Sequence, residues 1–323
     1  MKKQTDFIPF SRPSIGKREE RAAVRVLRSG WLTTGKVSAE FEREFAAYVG
    51  VKHALAVNSG TAGLHLALDA LAIKPRQYIL TTPYTFTASA EVIEYMGARP
   101  LFVDIQEDSY NMDPNKAEIA LKKHKQRIGC MLPVHIGGLP CDMTALCALA
   151  GTHSVPMVED TAHAFPVALN GRYVGTFGSM GVFSFYANKT MTTGEGGMIV
   201  TDDPNLAEHI RIRRLHGIDR DVWNRYTDRA DTRSWYYQIV AKGYKYNLPD
   251  LLAAIGRVQL TRAREFLAGR RAIAEYYLRE LADCDFIDLP KNSKTHAWHL
   301  FIIKIRPSCL TITRDEFIER LRE

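Results

Sequence analysis

Three short stretches of this 323-residue chain carry residue types and spacings that could do chemistry. Asn58-Ser59-Gly60-Thr61-Ala62-Gly63 joins an apolar run to a helix-like one. A small-residue turn entering a helix presents unpaired backbone N–H groups and the positive end of the dipole, a cradle for phosphate. A tight turn with a Ser/Thr cap is the plainer use. In Val155-Pro-Met-Val-Glu-Asp160 an acid ends a second apolar run. Open α/β sheets bind ligands at such strand ends, and a carboxylate there can hold a cationic ring nitrogen; capping the next segment is the alternative. The third stretch is Phe183-Ser-Phe-Tyr-Ala-Asn-Lys189, followed by a loop with Gly194, Gly196 and Gly197 that allows close backbone approach. Apolar, small and hydroxyl residues flank Lys189, and no acid lies between Asp160 and Glu195. Desolvation of that kind lowers an amine pKa and prepares it for imine chemistry. An ordinary surface lysine is the competing reading.

Each stretch alone is weak, but together they complement one another. A phosphate cradle, an acid for a ring nitrogen and an imine-forming lysine are the three anchors that pyridoxal 5'-phosphate requires.

The elements around these stretches must position them. Candidate strands are Ala54–Val57, Tyr78–Thr82, Arg99–Val103, Gly129–Pro133, Pro156–Glu159, Gly181–Phe185 and Met198–Thr201. Helix-like segments fall among the first five: Ala62–Leu71, Ala88–Met96, Pro114–Lys123 and Met143–Thr152. Such alternation predicts a largely parallel sheet wrapped by helices. The last two strands are separated by a turn-rich loop, which suits antiparallel pairing. Helical periodicity covers Pro204–Leu215, a polar aromatic stretch runs from about Asp219 to Tyr246, and a long helix is expected from Pro249 to Leu281. A strand-like His299–Ile305 and a helix Arg314–Arg322 follow. The expected fold class is α/β: a three-layer large domain over 1–248, with an N-terminal arm 1–14, and a small α+β domain over 249–323. The small domain looks unfinished, since the helical pattern runs to Glu323 without a C-cap signal.

Composition sets limits on function. Lys+Arg number 43 and Asp+Glu 36, a net charge of +7, with 46% hydrophobic residues, ordinary for a globular protein. Disorder, collagen-like repetition and a disulfide scaffold are excluded. No apolar run approaches the roughly 18–20 residues of a membrane helix, and the start lacks a signal-peptide pattern. Five scattered cysteines without a CxxC pair suit a reducing, cytoplasmic compartment. The basic runs Lys122-Lys-His-Lys-Gln-Arg127 and Arg211-Ile-Arg-Arg214 are short and far apart. They fit phosphate-bearing small molecules better than nucleic acid.

The chain resembles the DegT/DnrJ/EryC1/StrS family of sugar-nucleotide aminotransferases, which have the aspartate aminotransferase-like fold type I. The carrying stretches are Ser29-Gly-Trp-Leu-Thr-Thr-Gly35, Asn58-Ser-Gly-Thr61, Pro83-Tyr-Thr-Phe86, Gly97-Ala-Arg-Pro-Leu-Phe-Val-Asp104 and Glu159-Asp-Thr-Ala-His163. Phe183-Ser-Phe through Lys189, Gly194-Glu-Gly-Gly197, Tyr246-Asn247, Ala253-Ala-Ile-Gly256 and Gln259-Leu260 extend it. The resemblance implies a seven-stranded sheet and pyridoxal 5'-phosphate. Lys189 falls where the family forms its Schiff base, and Gly60, Thr61 and Ser184 fall where the phosphate is held. Phe86 takes the position that stacks on the pyridine, Asp160 that of the ring-nitrogen partner, and His163 one facing the cofactor's hydroxyl side. Asn247 matches an asparagine that reaches the neighbouring subunit's site, implying a homodimer with shared sites. Tyr84, Tyr186 and His216 are further candidates for facing the sugar nucleotide.

The resemblance further implies an amino-acid donor, glutamate, and a nucleotide-linked 3- or 4-keto sugar as acceptor. The family's dehydratases carry histidine where this chain has Lys189, which favours amino transfer. Family members continue past the Arg314–Arg322 helix, so the small domain is incomplete relative to the family, and a non-catalytic relative is the remaining alternative.

Overall fold

The computed structural model describes residues 9–219 and 237–322. Residues 1–8 of the expected arm and 220–236 of the expected polar aromatic stretch lie outside them. Two helices, α1 (Lys17–Ser29) and α2 (Lys36–Val49), open the described chain. Strands and helices then alternate: β1 (His53–Val57), α3 (Gly60–Ala70), β2 (Tyr78–Thr81), α4 (Ala88–Tyr95), β3 (Arg99–Phe102), α5 (Pro114–His124), β4 (Ile128–Met131), α6 (Met143–His153) and β5 (Val158–Asp160). A small hairpin, β6 (Ala168–Leu169) and β7 (Arg172–Tyr173), precedes β8 (Met180–Ser184), β9 (Gly197–Thr201) and α7 (Pro204–Arg213). Further on come α8 (Asp250–Thr261), α9 (Ala263–Glu280), β10 (Ile287–Asp288), β11 (Lys304–Ile305) and α10 (Arg314–Arg320).

Parallel strands β3, β2 and β4 form one block, and β5, β8, β9 and β1 form another. Parallel bridges Met131–Met157 and Val134–Asp160 join the blocks into a seven-stranded sheet ordered β3-β2-β4-β5-β8-β9-β1. Of these seven, β9 alone runs antiparallel, against both β1 and β8, as the turn-rich loop before it predicts.

The period-two side-chain alternation of the strands builds three layers. Leu55, Val57, Ile79, Cys130, Val182 and Ile199 point to the face covered by α3, α4 and α7. Their neighbours Ala54, Ala56, Phe183, Met198 and Val200 meet α2 and α8 on the other face. Leu80 and Met131 continue that second face under α5 and α6. Helix α3 lies so close to the sheet that a Cβ on Gly63 would come 2.7 Å from Val182 Cγ1, so only glycine fits there.

Three features differ from the sequence-based expectation. Helices α1 and α2 are not among the elements expected from the sequence; in α1 only Glu19, Ala22 and Val26 are buried. The single long helix expected from Pro249 to Leu281 is two, α8 and α9, parted at Arg262. A polar knot holds that joint: Arg262 pairs with Glu19 and Glu265, both at 2.9 Å, and Gln259 donates to Glu19 at 2.8 Å. Of the expected strand His299–Ile305, only Lys304–Ile305 pairs, with β10. Helix α8 begins by capping another helix. The Asp250 carboxylate accepts from Gly35 N–H at 2.7 Å, Ser38 N–H at 2.9 Å and Val37 N–H at 3.2 Å, at the start of α2.

Candidate active site

A cavity of about 580 Å³ opens at the carboxyl ends of the parallel strands, the place where such sheets bind ligands. Gly60, Thr61, Tyr84, Phe86, Asp160, His163, Ser184, Tyr186 and Lys189 all line it. They arrive from four connections, those that follow β1, β2, β5 and β8. Gly60 and Thr61 begin α3, whose Ser59 side chain caps the helix by accepting from Ala62 N–H at 3.0 Å. The first-turn N–H groups lie ahead of the helix's own bonding ladder and are open to an anion. Ser184, at the end of β8, sits against this turn: a Cβ on Gly60 would come 3.1 Å from the Ser184 Cβ.

Asp160 ends β5 and is buried. Its Oδ2 accepts from Ser89 Oγ at 2.8 Å and its Oδ1 from Ala162 N–H at 3.1 Å, so the carboxylate is held in one orientation. Ser89 is in turn linked to Thr85 at 2.8 Å. Lys189 follows β8 in the loop that returns into β9, its N–H donating to Tyr186 O at 3.0 Å. Burial pushes its amine down to about 8, with Asp160 pulling the other way. His163 accepts Gly137 N–H at Nδ1, 3.3 Å away, which leaves Nε2 as the proton-bearing nitrogen. Burial and then Lys189 push its pKa down to about 3, so the ring is neutral. Phe86 is 69% exposed, an aromatic face at the rim rather than a core residue.

Two candidates lie elsewhere. Asn247 belongs to the wall of a separate, larger cavity of about 910 Å³ between α2, β1 and α7. Its Nδ2 donates to Thr34 Oγ1 at 2.6 Å and its Oδ1 accepts from Lys245 Nζ at 2.7 Å. His216 follows α7 in the left-handed region, φ 59°, with its N–H donating to Tyr244 O at 2.8 Å; it does not line the Lys189 cavity.

The structure also adds residues that sequence reasoning missed. Ser89 and Thr85 orient Asp160 from α4 and its approach, a link no local pattern signals. Asn188 and His299 line the cavity as well, the second from a segment read as plain strand.

The donor set fits pyridoxal 5'-phosphate on its own chemistry: a helix start beside a serine for phosphate, a fixed carboxylate for a ring nitrogen, and a desolvated amine for an aldehyde. Among the described residues no group of three or more His, Cys, Asp or Glu is placed to hold a metal ion, and no helix is long and apolar enough to cross a membrane.

Comparison with known proteins agrees with this class. The model of the DegT/DnrJ/EryC1/StrS aminotransferase family matches residues 13–323. The spore coat polysaccharide biosynthesis protein SpsC of Bacillus subtilis is 42% identical over 325 residues, covering 100% of this chain and 82% of that protein. A putative sugar aminotransferase from Streptococcus pneumoniae, solved in its PMP form, superposes with TM-score 0.83 at 31% identity, over 92% of this chain and 79% of the other. A GDP-4-keto-6-deoxymannose-3-dehydratase, ColD, superposes with TM-score 0.89 at 26% identity, over 97% and 83%. Fold and site thus define a pyridoxal-phosphate-dependent aminotransferase. The chain belongs to the DegT/DnrJ/EryC1/StrS family.

Proposed function

We propose that this enzyme moves an amino group from an amino acid, glutamate, to a nucleotide-linked keto sugar, for the assembly of a surface polysaccharide. The observation that carries the reading is the meeting of Lys189, Asp160 and the Gly60–Ser184 turn on one cavity. The likeness to SpsC, named for spore coat polysaccharide, supports the pathway.

The bound coenzyme supplies a ring that withdraws electrons from the reacting substrate carbon. The Gly60 and Thr61 N–H groups and the Ser184 hydroxyl hold its phosphate. Asp160, fixed by Ser89 and Ala162, keeps a proton on the ring nitrogen. His163 offers Nε2–H to the ring's hydroxyl side, and Phe86 covers one face. Lys189 would hold the coenzyme, and its amine, once freed, would act as general base and acid, taking the proton from the donor's Cα and giving it to the coenzyme's C4' carbon rather than back to Cα. Tyr84 and Tyr186, both on the cavity wall, contact the sugar nucleotide, and His216, off that wall, is left without this role. Asn247, off its own chain's cavity, reaches the phosphate in a second copy of this chain, so the working unit is a homodimer. The large domain extends to about residue 248 with α8 still packed on its sheet, and the small domain is built from the chain after α8.

The dehydratase likeness favours a second reading, removal of a sugar hydroxyl. Lysine at position 189, where the family's dehydratases carry histidine, weighs for amino transfer.

The test begins with protein loaded with pyridoxal phosphate and its visible absorption band. Addition of glutamate is expected to convert the band to the pyridoxamine form; a band that persists under excess glutamate overturns the donor assignment. Lys189→Ala is expected to lose the band and both half-reactions.

A further inference from the structure

Two buried side-chain atoms on the wall of the Lys189 cavity, Asn188 Oδ1 and His299 Nδ1, have no hydrogen-bond partner among the described residues. Buried polar atoms are nearly always paired, so two in one cavity point to a ligand group that pairs them. They come from unrelated parts of the chain. Asn188 directly precedes Lys189, whereas His299 arrives after α9.

The placement of His299 is built rather than incidental. Trp298, just before it, is held at φ 52°, a left-handed conformation that bulky residues rarely adopt. Arg270 of α9 clamps the bend, donating from Nη1 to the carbonyls of Trp298 at 3.2 Å and His299 at 3.4 Å. On either side, Ala297 N–H donates to Gly138 O at 2.8 Å and Leu300 N–H to Gly137 O at 3.0 Å. The Trp298 ring stacks on His296 with centroids 3.9 Å apart. The result sets the His299 ring 4.4 Å from that of His163. Strain of this kind, held by several surrounding contacts, gathers at functional positions.

The chemistry of the two atoms selects what they meet. An amide oxygen accepts only, and a carboxylate has no proton to give it. A hydroxyl both donates and accepts, and so satisfies an amide and an imidazole together. Burial, with His163, Lys189 and Arg270, pushes the His299 pKa down to about 2, so its ring is a neutral hydrogen-bonding group rather than a cation for an acid.

We propose that Asn188 and His299 form a hydroxyl-binding wall that receives the sugar ring of the second substrate. The proposal rests on the keto-sugar reading above and assigns these residues to the acceptor rather than to the carboxylates of the amino donor.

Calorimetric titration of the holoenzyme tests it. The probes are dTDP-glucose, UDP-glucose and GDP-mannose, each against its bare nucleoside diphosphate. In the wild-type protein the hexose is expected to add affinity for at least one nucleotide. His299→Phe and Asn188→Ala are each expected to cut that added affinity about tenfold, the scale of one buried hydrogen bond. His299→Asn, which keeps a polar group near the Nδ1 position, is expected to restore part of it. The visible lysine–coenzyme band and the affinity for the bare diphosphate should hold in all three. An unchanged hexose increment in the two disabling variants overturns the proposal, and so does an equal loss for sugar nucleotide and bare diphosphate, which marks a structural role. A wild-type protein with a normal band that binds none of the sugar nucleotides sinks the keto-sugar reading itself, a distinct result.

Discussion

Lys189 gives up its proton at about 8 instead of the usual 10.5, because burial disfavours the charged amine more than Asp160 restores it. Only the unprotonated amine attacks an aldehyde. Coenzyme uptake by the apoenzyme should therefore rise about tenfold per pH unit below 8 and level off above it. An ordinary lysine would keep gaining rate up to its usual pKa. Stopped-flow growth of the visible band across this range checks the expectation; a rate still climbing steeply well above 8 contradicts it. Next door on β5, Glu159 performs a different task from Asp160. Fully buried, it accepts from Gly175, Phe177 and Gly178 N–H at 2.8, 2.6 and 2.7 Å and contacts His135 Nε2 at 3.2 Å. One acid of the pair fixes a loop, and its neighbour serves the cavity.

Among the elements, α2 depends on a residue two hundred positions away. Asp250→Ala leaves the N–H groups of Gly35, Val37 and Ser38 without their acceptor and should cost about 1–2 kcal/mol in urea unfolding. Burial pushes the Asp250 carboxyl above its usual range, against the pull of those backbone bonds. Asp250→Asn, which keeps an oxygen and removes the buried charge, should cost clearly less. Equal losses for the two variants would contradict the cap. This dependence explains what the sequence discloses and what it hides. Strands β1 to β5, β8 and β9 are legible because apolar runs bounded by turns need no distant information, and Lys189, Asp160 and Gly60 sit at their ends. Helices α1 and α2, the joint at Arg262 and the approach of His299 are hidden. Contacts far along the chain tie each of them down: Gln259 with Glu19, Asp250 with the start of α2, and Arg270 with a left-handed Trp298.

For the whole molecule, the proposed homodimer with shared sites makes a quantitative claim. Lys189→Ala and Asn247→Ala subunits, each inactive or weak alone, should complement after mixing and subunit exchange. A mixed dimer carries one site with both defects and one with neither, so an equal mixture should recover about a quarter of wild-type activity. Failure to recover any activity, with exchange verified by tagged subunits, would mean that each site draws both residues from one chain.

Strand β9 lies between β1 and β8 and hydrogen-bonds to both. Residues 53–57 therefore wait for residues 197–201 before their sheet edge closes. During synthesis, a ribosome must release nearly two-thirds of this sequence before the Gly60 turn and the Lys189 loop can be locked together. A nascent chain interrupted earlier holds the pieces of the cavity without the fastening between them.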